Sequence, residues 1–158
     1  MHIKNRTCIP TNLLIPIIKY AAQKTKCELE NLTIAINPNS NFTNGVAENA
    51  NYCKLNFPVT RKCWYIYKDG EFANFAQDVL GLFVHELKHV SDYQNEYPDM
   101  HGCRPQDISN SEYRAIRCAE KVEAKAFSDK KIIQILSPLM EWAKKDMERK
   151  FMENYLEI

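Results

Sequence analysis

The segment HELKH, residues 85–89, lies inside the apolar stretch AQDVLGLFVHELKHVSDYQ of residues 76–94. Residues four apart on an α-helix differ by about 40° around the axis, so His85 and His89 present their imidazoles on the same side. Two imidazoles in this arrangement can bind one metal ion. Glu86 is rotated by about 100° from His85, which suits a carboxylate that contacts a metal-bound water rather than the metal. The spacing therefore predicts a metal site built on one helix.

Two histidines on a helix can bind a metal, but they can also simply form hydrogen bonds or face the solvent. The residues around them favour the metal site, because apolar side chains cover the rest of the helix: Val79, Leu80, Phe83, Val84, Leu87 and Val90. A largely buried helix needs polar partners for two histidines on its remaining face, which favours the metal site.

Length and composition limit the class of protein. A chain of 158 residues with 45% hydrophobic residues is expected to form one domain, residues 1–158. The net charge of +1 comes from evenly mixed signs, which argues against nucleic acid or an anionic membrane as the main partner. The first ten residues lack the apolar core of a secretory signal, and LLIPIIKYAA, residues 13–22, is too short to span a bilayer. We therefore expect a cytoplasmic protein.

The cysteines do not form a recognisable metal or disulfide pattern. They are Cys8, Cys27, Cys53, Cys63, Cys103 and Cys118. None of them forms a CxxC pair, so a separate structural zinc site is not expected, and reduced, half-buried thiols are favoured over disulfides. His101, Cys103 and Cys118 are candidates for a second metal site, but their loose spacing does not favour one.

Periodicity predicts an α+β fold. Three strands are expected before the motif helix, at residues 32–37, 51–57 and 61–68, with a hairpin around Asn44 and Gly45. A first helix begins at Thr11, which acts as its cap, and ends near Lys26. The motif helix is followed by a loop at residues 98–107 and by a helix capped by Ser109 or Asn110 that extends to Ser137. A C-terminal amphipathic helix follows.

A catalytic zinc ion usually has three protein ligands and one open position, so a third ligand is expected outside the motif. Glu120 and Glu123 lie on one face of the second long helix, and Glu112 shares that face. A neighbouring stripe of small residues, Ala115, Ala119 and Ala126, allows a close helix contact. Glu123 is the preferred ligand and Glu120 the second choice, while the alternative is ordinary surface charge.

HELKH combined with EAKAF, residues 123–127, resembles the gluzincin peptidases, particularly the minigluzincins and the ImmA/IrrE-type peptidases. Their pattern is HExxH followed by an EAxxF-like helix whose glutamate completes the zinc site, which implies Glu123 here. The resemblance covers roughly residues 60–135. It implies a zincin-like fold with a small three-stranded sheet over the motif helix, a glutamate-bearing backing helix, and N- and C-terminal helices. No helix-turn-helix segment is evident, so a gene-regulatory role is not expected.

The predicted chemistry is zinc-dependent peptide hydrolysis. Zn²⁺ held by His85, His89 and Glu123 would lower the pKa of its water to about 7, and Glu86 would take the proton during attack on a peptide carbonyl. Asp92, three residues after His89, is a candidate for orienting an imidazole. His101, Tyr93 and Tyr113 are alternative oxyanion donors, among which the sequence does not choose.

The expected partner is a peptide or protein substrate, bound as an extra strand along an edge strand such as residues 63–67. A regulatory partner or a terminal segment is expected to limit access to the cleft. The C-terminal stretch after Pro138 is one candidate for that segment, but a helix packed on the core is the favoured interpretation of it. Two other functions use the same residues. One is a zincin-fold binding module without turnover, and the other is hydrolysis of a non-peptide amide.

Overall fold

The computed structural model describes residues 1–38, 44–57, 72–96 and 105–156. The elements are β1 (His2–Asn5), α1 (Thr11–Thr25), β2 (Thr33–Pro38), β3 (Asn44–Asn49), β4 (Tyr52–Phe57), α2 (Phe72–Gln94), α3 (Pro105–Glu123) and α4 (Lys130–Leu156). The architecture is α+β, as the periodicity predicted. The expected strand at 61–68, with its edge segment 63–67, lies outside the described residues.

The described sheet has four strands in the order β1-β2-β4-β3. β1 and β4 both run parallel to β2, and β3 pairs antiparallel with β4 at one edge. The prediction of a three-stranded sheet was therefore wrong in its count. The strand β1 is too short for an alternating pattern, and β3 falls in a segment whose many asparagines favour a loop. The hairpin exists, but its turn follows Asn49 rather than centring on Asn44 and Gly45.

Alternation along the inner strands explains how the sheet meets the helices. In β4, Cys53, Leu55 and Phe57 are fully buried while Lys54 is exposed. This period of two places one face of the sheet against the helices. Phe57 packs edge-on against Phe83 of α2, with ring centroids 5.6 Å apart. The sheet and the motif helix thus share one hydrophobic core.

The helix α2 lies at the centre of the molecule, in contact with β3, β4 and all three other helices. All six apolar residues predicted to cover it are fully buried: Val79, Leu80, Phe83, Val84, Leu87 and Val90. Among the described residues, no helix is both long and apolar enough to cross a membrane.

The helix boundaries after α2 differ from the prediction. α3 begins at Pro105, so Ser109 and Asn110 lie inside it rather than capping it, and the loop predicted to reach residue 107 ends earlier. α3 ends at Glu123, and Asp129 starts α4 by accepting hydrogen bonds from the backbone of Lys131 and Ile132 at 2.9 and 3.4 Å. α4 then continues through Pro138. At the other end, Thr11 is the first residue of α1 and makes no side-chain cap.

The first part of the C-terminal helix belongs to the core. Leu136, Leu139 and Ala143 are fully buried, on both sides of Pro138. The stretch after Pro138 is therefore packed against the rest of the chain up to at least Ala143, which does not suit a detachable cover for the cleft.

Replacing Phe83 by alanine should destabilise the fold by about 3–5 kcal/mol, since the ring is fully buried between α2 and the sheet. The free energy of unfolding from chemical denaturation measures the loss. Phe127→Ala is the matched control, because Phe127 is 49% exposed and its loss should change stability by about 0.5 kcal/mol or less. Equal losses for the two variants would contradict the burial of the Phe83 ring.

Candidate metal centre

The two motif histidines converge as the helical spacing predicts. Their Nε2 atoms are 3.2 Å apart, and the rings meet edge to face with centroids 4.9 Å apart. Both side chains are half-buried on α2. The local helix geometry alone brings the two imidazoles together.

A glutamate from α3 completes the group, and it is Glu112. Its Oε1 lies 3.1 Å from His85 Nε2, and its Oε2 lies 2.9 Å from His89 Nε2. Ligand atoms from these three residues all lie within 4.8 Å of one another, and no second group of this kind exists in the described part of the chain. His85, His89 and Glu112 can therefore bind one metal ion.

The separations in this triad fit a small tetrahedral ion. In a tetrahedral zinc site with bonds of about 2.0–2.1 Å, ligand atoms lie roughly 3.3 Å apart. In this structure the two Nε2 atoms are 3.2 Å apart, and the two oxygens of Glu112 lie 3.1 Å from His85 Nε2 and 2.9 Å from His89 Nε2 respectively. The ligand atoms need to move apart by only a few tenths of an ångström to accommodate the ion.

Glu123, predicted as the third ligand, lies elsewhere in the structure. It packs against Gly81, where a Cβ atom would overlap the Glu123 carboxylate. Its main-chain oxygen accepts a hydrogen bond from Gln77 Nε2 at 2.9 Å. Glu120, the second choice, is exposed and, like Glu123, lines a cleft of about 450 Å³ that also contains His85. Neither carboxylate belongs to the metal-binding group.

The arrangement of α2 and α3 explains why Glu112 takes this place. Ser111, near the start of α3, is hydrogen-bonded to Asp92, near the end of α2. Glu123, at the end of α3, is hydrogen-bonded to Gln77, near the start of α2, so the two helices are antiparallel. Eleven residues of helix separate Glu112 from Glu123, about 16 Å along the axis. Both face α2, and only the position along the helix determines which of them reaches the imidazoles. Sequence spacing places them on one face but does not give that position.

Glu86 is a deeply buried acidic group next to His85. It is 3% exposed, its Oε1 lies 3.9 Å from His85 Nε2, and its Oε2 has no hydrogen-bond partner. Burial is the main cause that raises its pKa to about 7; the charge of Glu112 adds to the rise, and a backbone hydrogen bond at Ala47 opposes it. A carboxylate with this pKa can both take and return a proton near neutral pH.

The strand β3 leaves room for Glu86 at one position. A Cβ atom on Gly45 would lie 2.8 Å from Glu86 Cγ, closer than packed carbon atoms approach. The absence of a side chain at Gly45 therefore lets the edge strand come directly over the carboxylate. This contact brings β3 to the candidate centre.

Asp92 acts on His89 through a serine. Ser111 Oγ donates a hydrogen bond to Asp92 Oδ2 at 3.0 Å and lies 2.9 Å from His89 Nδ1. Asp92 is 1% exposed and forms ion pairs with Arg114 at 3.1 Å and Lys88 at 3.5 Å. Because the single hydroxyl proton of Ser111 goes to Asp92, His89 Nδ1 must donate to Ser111. The Nε2 lone pair of neutral His89 then points toward His85 and Glu112.

The electrostatics at His85 favour the form that binds metals. Burial lowers the pKa of His85, and this outweighs the opposing charge of Glu112; the neighbouring His89 also lowers it. A neutral imidazole is the form that coordinates metal ions. Both imidazoles of the triad are therefore prepared to use Nε2 as a ligand.

The other predicted candidates contribute less. Tyr113 is 63% exposed on α3, and His101 and Cys103 lie outside the described residues, so the loose second metal group is not formed by described residues. Cys27 and Cys53 are buried thiols, and burial raises the pKa of Cys27 to about 12.

Comparisons with protein families, with curated proteins and with solved structures found no match. The assignment of the centre therefore rests on its geometry.

Metal content distinguishes the two candidate third ligands. Purified wild-type protein should contain about one zinc ion per chain, and Glu112→Ala should reduce the affinity by about tenfold or more, as should His85→Ala. Glu123→Ala should retain the metal, because its carboxylate is not in the triad. Elemental analysis and competition with a chelator measure both quantities. Loss of metal in Glu123→Ala with retention in Glu112→Ala would instead support the ligand inferred from the sequence.

Ser111→Ala should weaken metal binding by about 10- to 100-fold, because His89 loses the acceptor that orients its ring. Competition with a chelator measures the affinity of wild type and variant. Ser137→Ala is the control, since Ser137 donates to the backbone oxygen of Ile133. An unchanged affinity in Ser111→Ala would exclude this role.

Proposed function

We propose that the protein is a zinc-dependent peptidase with a zincin-like fold, resembling the gluzincins. His85, His89 and Glu112 hold the metal, and Glu86 is the general base. One observation carries the proposal: two imidazole Nε2 atoms lie 3.2 Å apart, each within 3.1 Å of an oxygen of the Glu112 carboxylate, beside the buried carboxylate of Glu86 with its unpartnered oxygen. A purely structural metal site does not require the last of these features.

The set of ligands favours zinc over the other common ions. Two imidazoles and one carboxylate are a frequent combination at catalytic zinc sites, whereas calcium and magnesium prefer oxygen ligands alone. Three protein ligands leave a fourth position open. When bound, zinc would supply the positive charge that lowers the pKa of a coordinated water and polarises a carbonyl group.

Glu86 supplies the acid–base chemistry in this proposal. Its carboxylate takes the proton of the attacking water and then donates it to the amine of the cleaved peptide bond. Burial to 3% exposure keeps bulk water from this exchange and holds the side chain beside His85. Glu86 Oε1 lies 3.9 Å from His85 Nε2, farther than the separations within the triad. This distance fits a carboxylate that acts beside the metal and is not one of its ligands.

An extended substrate would bind along the edge strand β3. β3 pairs only with β4 among the described strands, and Gly45 and Ala47 both contact Glu86. A peptide added along an exposed edge is held by main-chain hydrogen bonds, independently of its side chains. Such a peptide would pass over the catalytic carboxylate.

Glu86→Gln should reduce peptide hydrolysis by about 10²–10⁴-fold while the zinc content stays at the wild-type level, since the amide keeps the shape but cannot take a proton. Hydrolysis of a mixed peptide library, measured by mass spectrometry, tests this variant together with wild type. The control is Glu141→Gln on the exposed side of α4, which should behave as wild type.

The same experiment separates the alternative functions. A wild-type protein that holds zinc and binds peptides without any hydrolysis would contradict the peptidase proposal and support a binding module. Hydrolysis of small amides without hydrolysis of peptides would likewise contradict it. Equal peptide hydrolysis by Glu86→Gln and wild type would exclude Glu86 as the base.

A further inference from the structure

Another cavity lies on the face of the sheet that points away from the helices. In β4 the residues that face the core are buried, so the residues between them, Tyr52, Lys54 and Asn56, lie on the opposite face. On this face a cavity of about 390 Å³ extends across β1, β2 and β4. None of the described residues that line this basic cavity belongs to a helix. It is therefore separate from the candidate metal centre.

The register of the strands places two lysines on either side of a small residue. Ala35 of β2 lies directly opposite Lys4 of β1 and directly opposite Lys54 of β4. Neighbouring strands are about 4.8 Å apart, so the backbones of the two lysines are about 10 Å apart across β2. Ala35 is 7% exposed and lines the cavity together with both lysines. Two long side chains beside a short one thus form the walls and the floor of the basic cavity.

Arg6 adds a third cation farther along the sheet. Its backbone N–H donates a hydrogen bond to the oxygen of Ile36 at 2.8 Å, which places Arg6 beside Asn37. Asn56 is opposite Asn37 in the register, and all three polar side chains line the cavity. A guanidinium group and two amides therefore offer N–H donors at this end. Tyr52 lines the other end, about 13 Å away along the strands.

The positive charges of the basic cavity are not neutralised by described residues. Lys4, Arg6 and Lys54 are exposed, and none of them forms an ion pair within the described part of the chain. Glu48 is the one acidic residue in the four strands, and it is not among the described residues that line the cavity. Neighbouring like charges repel each other, and an anion bound between them removes this repulsion.

The charge of the basic cavity fits a phosphate group. A phosphate monoester carries about two negative charges at neutral pH and three acceptor oxygens, whereas a carboxylate carries one charge and two oxygens. Guanidinium and ammonium groups both bind phosphate, and the guanidinium can do so through two parallel hydrogen bonds. Three cations with amide donors beside them therefore favour phosphate over a carboxylate.

The size of the basic cavity and the charge of the whole chain indicate a small molecule. A volume of about 390 Å³ lies in the range of sites for small organic ligands and exceeds what a single phosphate ion fills. The net charge of +1 provides little long-range attraction for a long polyanion such as nucleic acid. A phosphate attached to an organic group satisfies both conditions.

We propose that the basic cavity binds a small organic phosphate of about nucleotide size. Lys4, Lys54 and Arg6 hold the phosphate, and the organic part extends along the sheet toward Tyr52, whose ring packs against it. The site lies on the face of the sheet opposite α2, so this inference does not depend on the proposed peptidase function.

Calorimetric titration of full-length, metal-free protein with ADP, adenosine and inorganic phosphate tests the proposal. ADP is the probe because it carries phosphate and a flat organic group, and the absence of metal prevents binding of phosphate to zinc. At about 0.15 M salt, which screens exposed charges, ADP should bind at least about tenfold more tightly than either adenosine or inorganic phosphate. Absence of ADP binding would overturn the proposal. Adenosine or inorganic phosphate that binds as tightly as ADP would overturn it as well.

The double substitution Lys4→Gln with Lys54→Gln should weaken ADP binding by about tenfold or more, since it removes two charges beside the phosphate. Both side chains are exposed, so the fold should be retained, and circular dichroism checks this. The matched control is Lys19→Gln with Lys144→Gln, which removes the same charge from exposed positions on α1 and α4. The control should bind ADP as wild type does. Equal weakening in the two double variants would overturn the assignment to this cavity.

A single strand of about ten nucleotides distinguishes a small ligand from nucleic acid. It should bind no more tightly than ADP. Much tighter binding of the strand, lost in the Lys4 and Lys54 variant, would overturn the small-molecule assignment and indicate a nucleic-acid surface.

Two measurements keep this inference distinct from the proposed function. The Lys4 and Lys54 variant should hydrolyse peptides as wild type does, and Glu86→Gln should bind ADP as wild type does. Loss of ADP binding in Glu86→Gln would overturn the location of the site, whereas absence of peptide hydrolysis in every variant would contradict only the peptidase proposal.

Discussion

The close contact between α2 and α3 determines which side chains meet at the candidate centre. Small residues permit it, because Gly81 has no side chain and Ala115 and Ala119 are buried on the facing helix. The two helices are antiparallel, and their packing fixes the position along α2 that each residue of α3 contacts. Glu112 consequently lies against both imidazoles, while Glu123 lies beside Gly81, about one helical turn before His85.

A second set of contacts at the same interface orients the imidazoles. Asp92 is buried and paired with Arg114 and Lys88, and it holds the hydroxyl of Ser111 as an acceptor for His89. A buried carboxylate without such partners would be strongly destabilising. The network therefore contributes both to the packing of α3 and to the orientation of the His89 ring. These partners explain why Asp92 is found inside the protein.

Several features of the centre could be predicted from the chain because they depend on local geometry. The convergence of His85 and His89 requires only a helix, and the surrounding apolar residues predict that helix and its burial. Asp92 lies on the same helix, so its position near His89 also followed from the sequence. By contrast, β1 is too short and β3 too rich in asparagine for their patterns to predict strands, and both form through pairing with distant strands.

The sequence by itself determined the part of the candidate centre that lies on α2, namely the two imidazoles and the adjacent Glu86. The 3.6 residues per turn of a helix fix their relative positions without reference to the rest of the chain. The tertiary structure decided which carboxylate joins the two imidazoles. Glu112, Glu120 and Glu123 share a face of α3, and helical spacing by itself does not choose among them. The choice depends on where two helices touch, and that contact is set by the packing of buried side chains from separate parts of the chain.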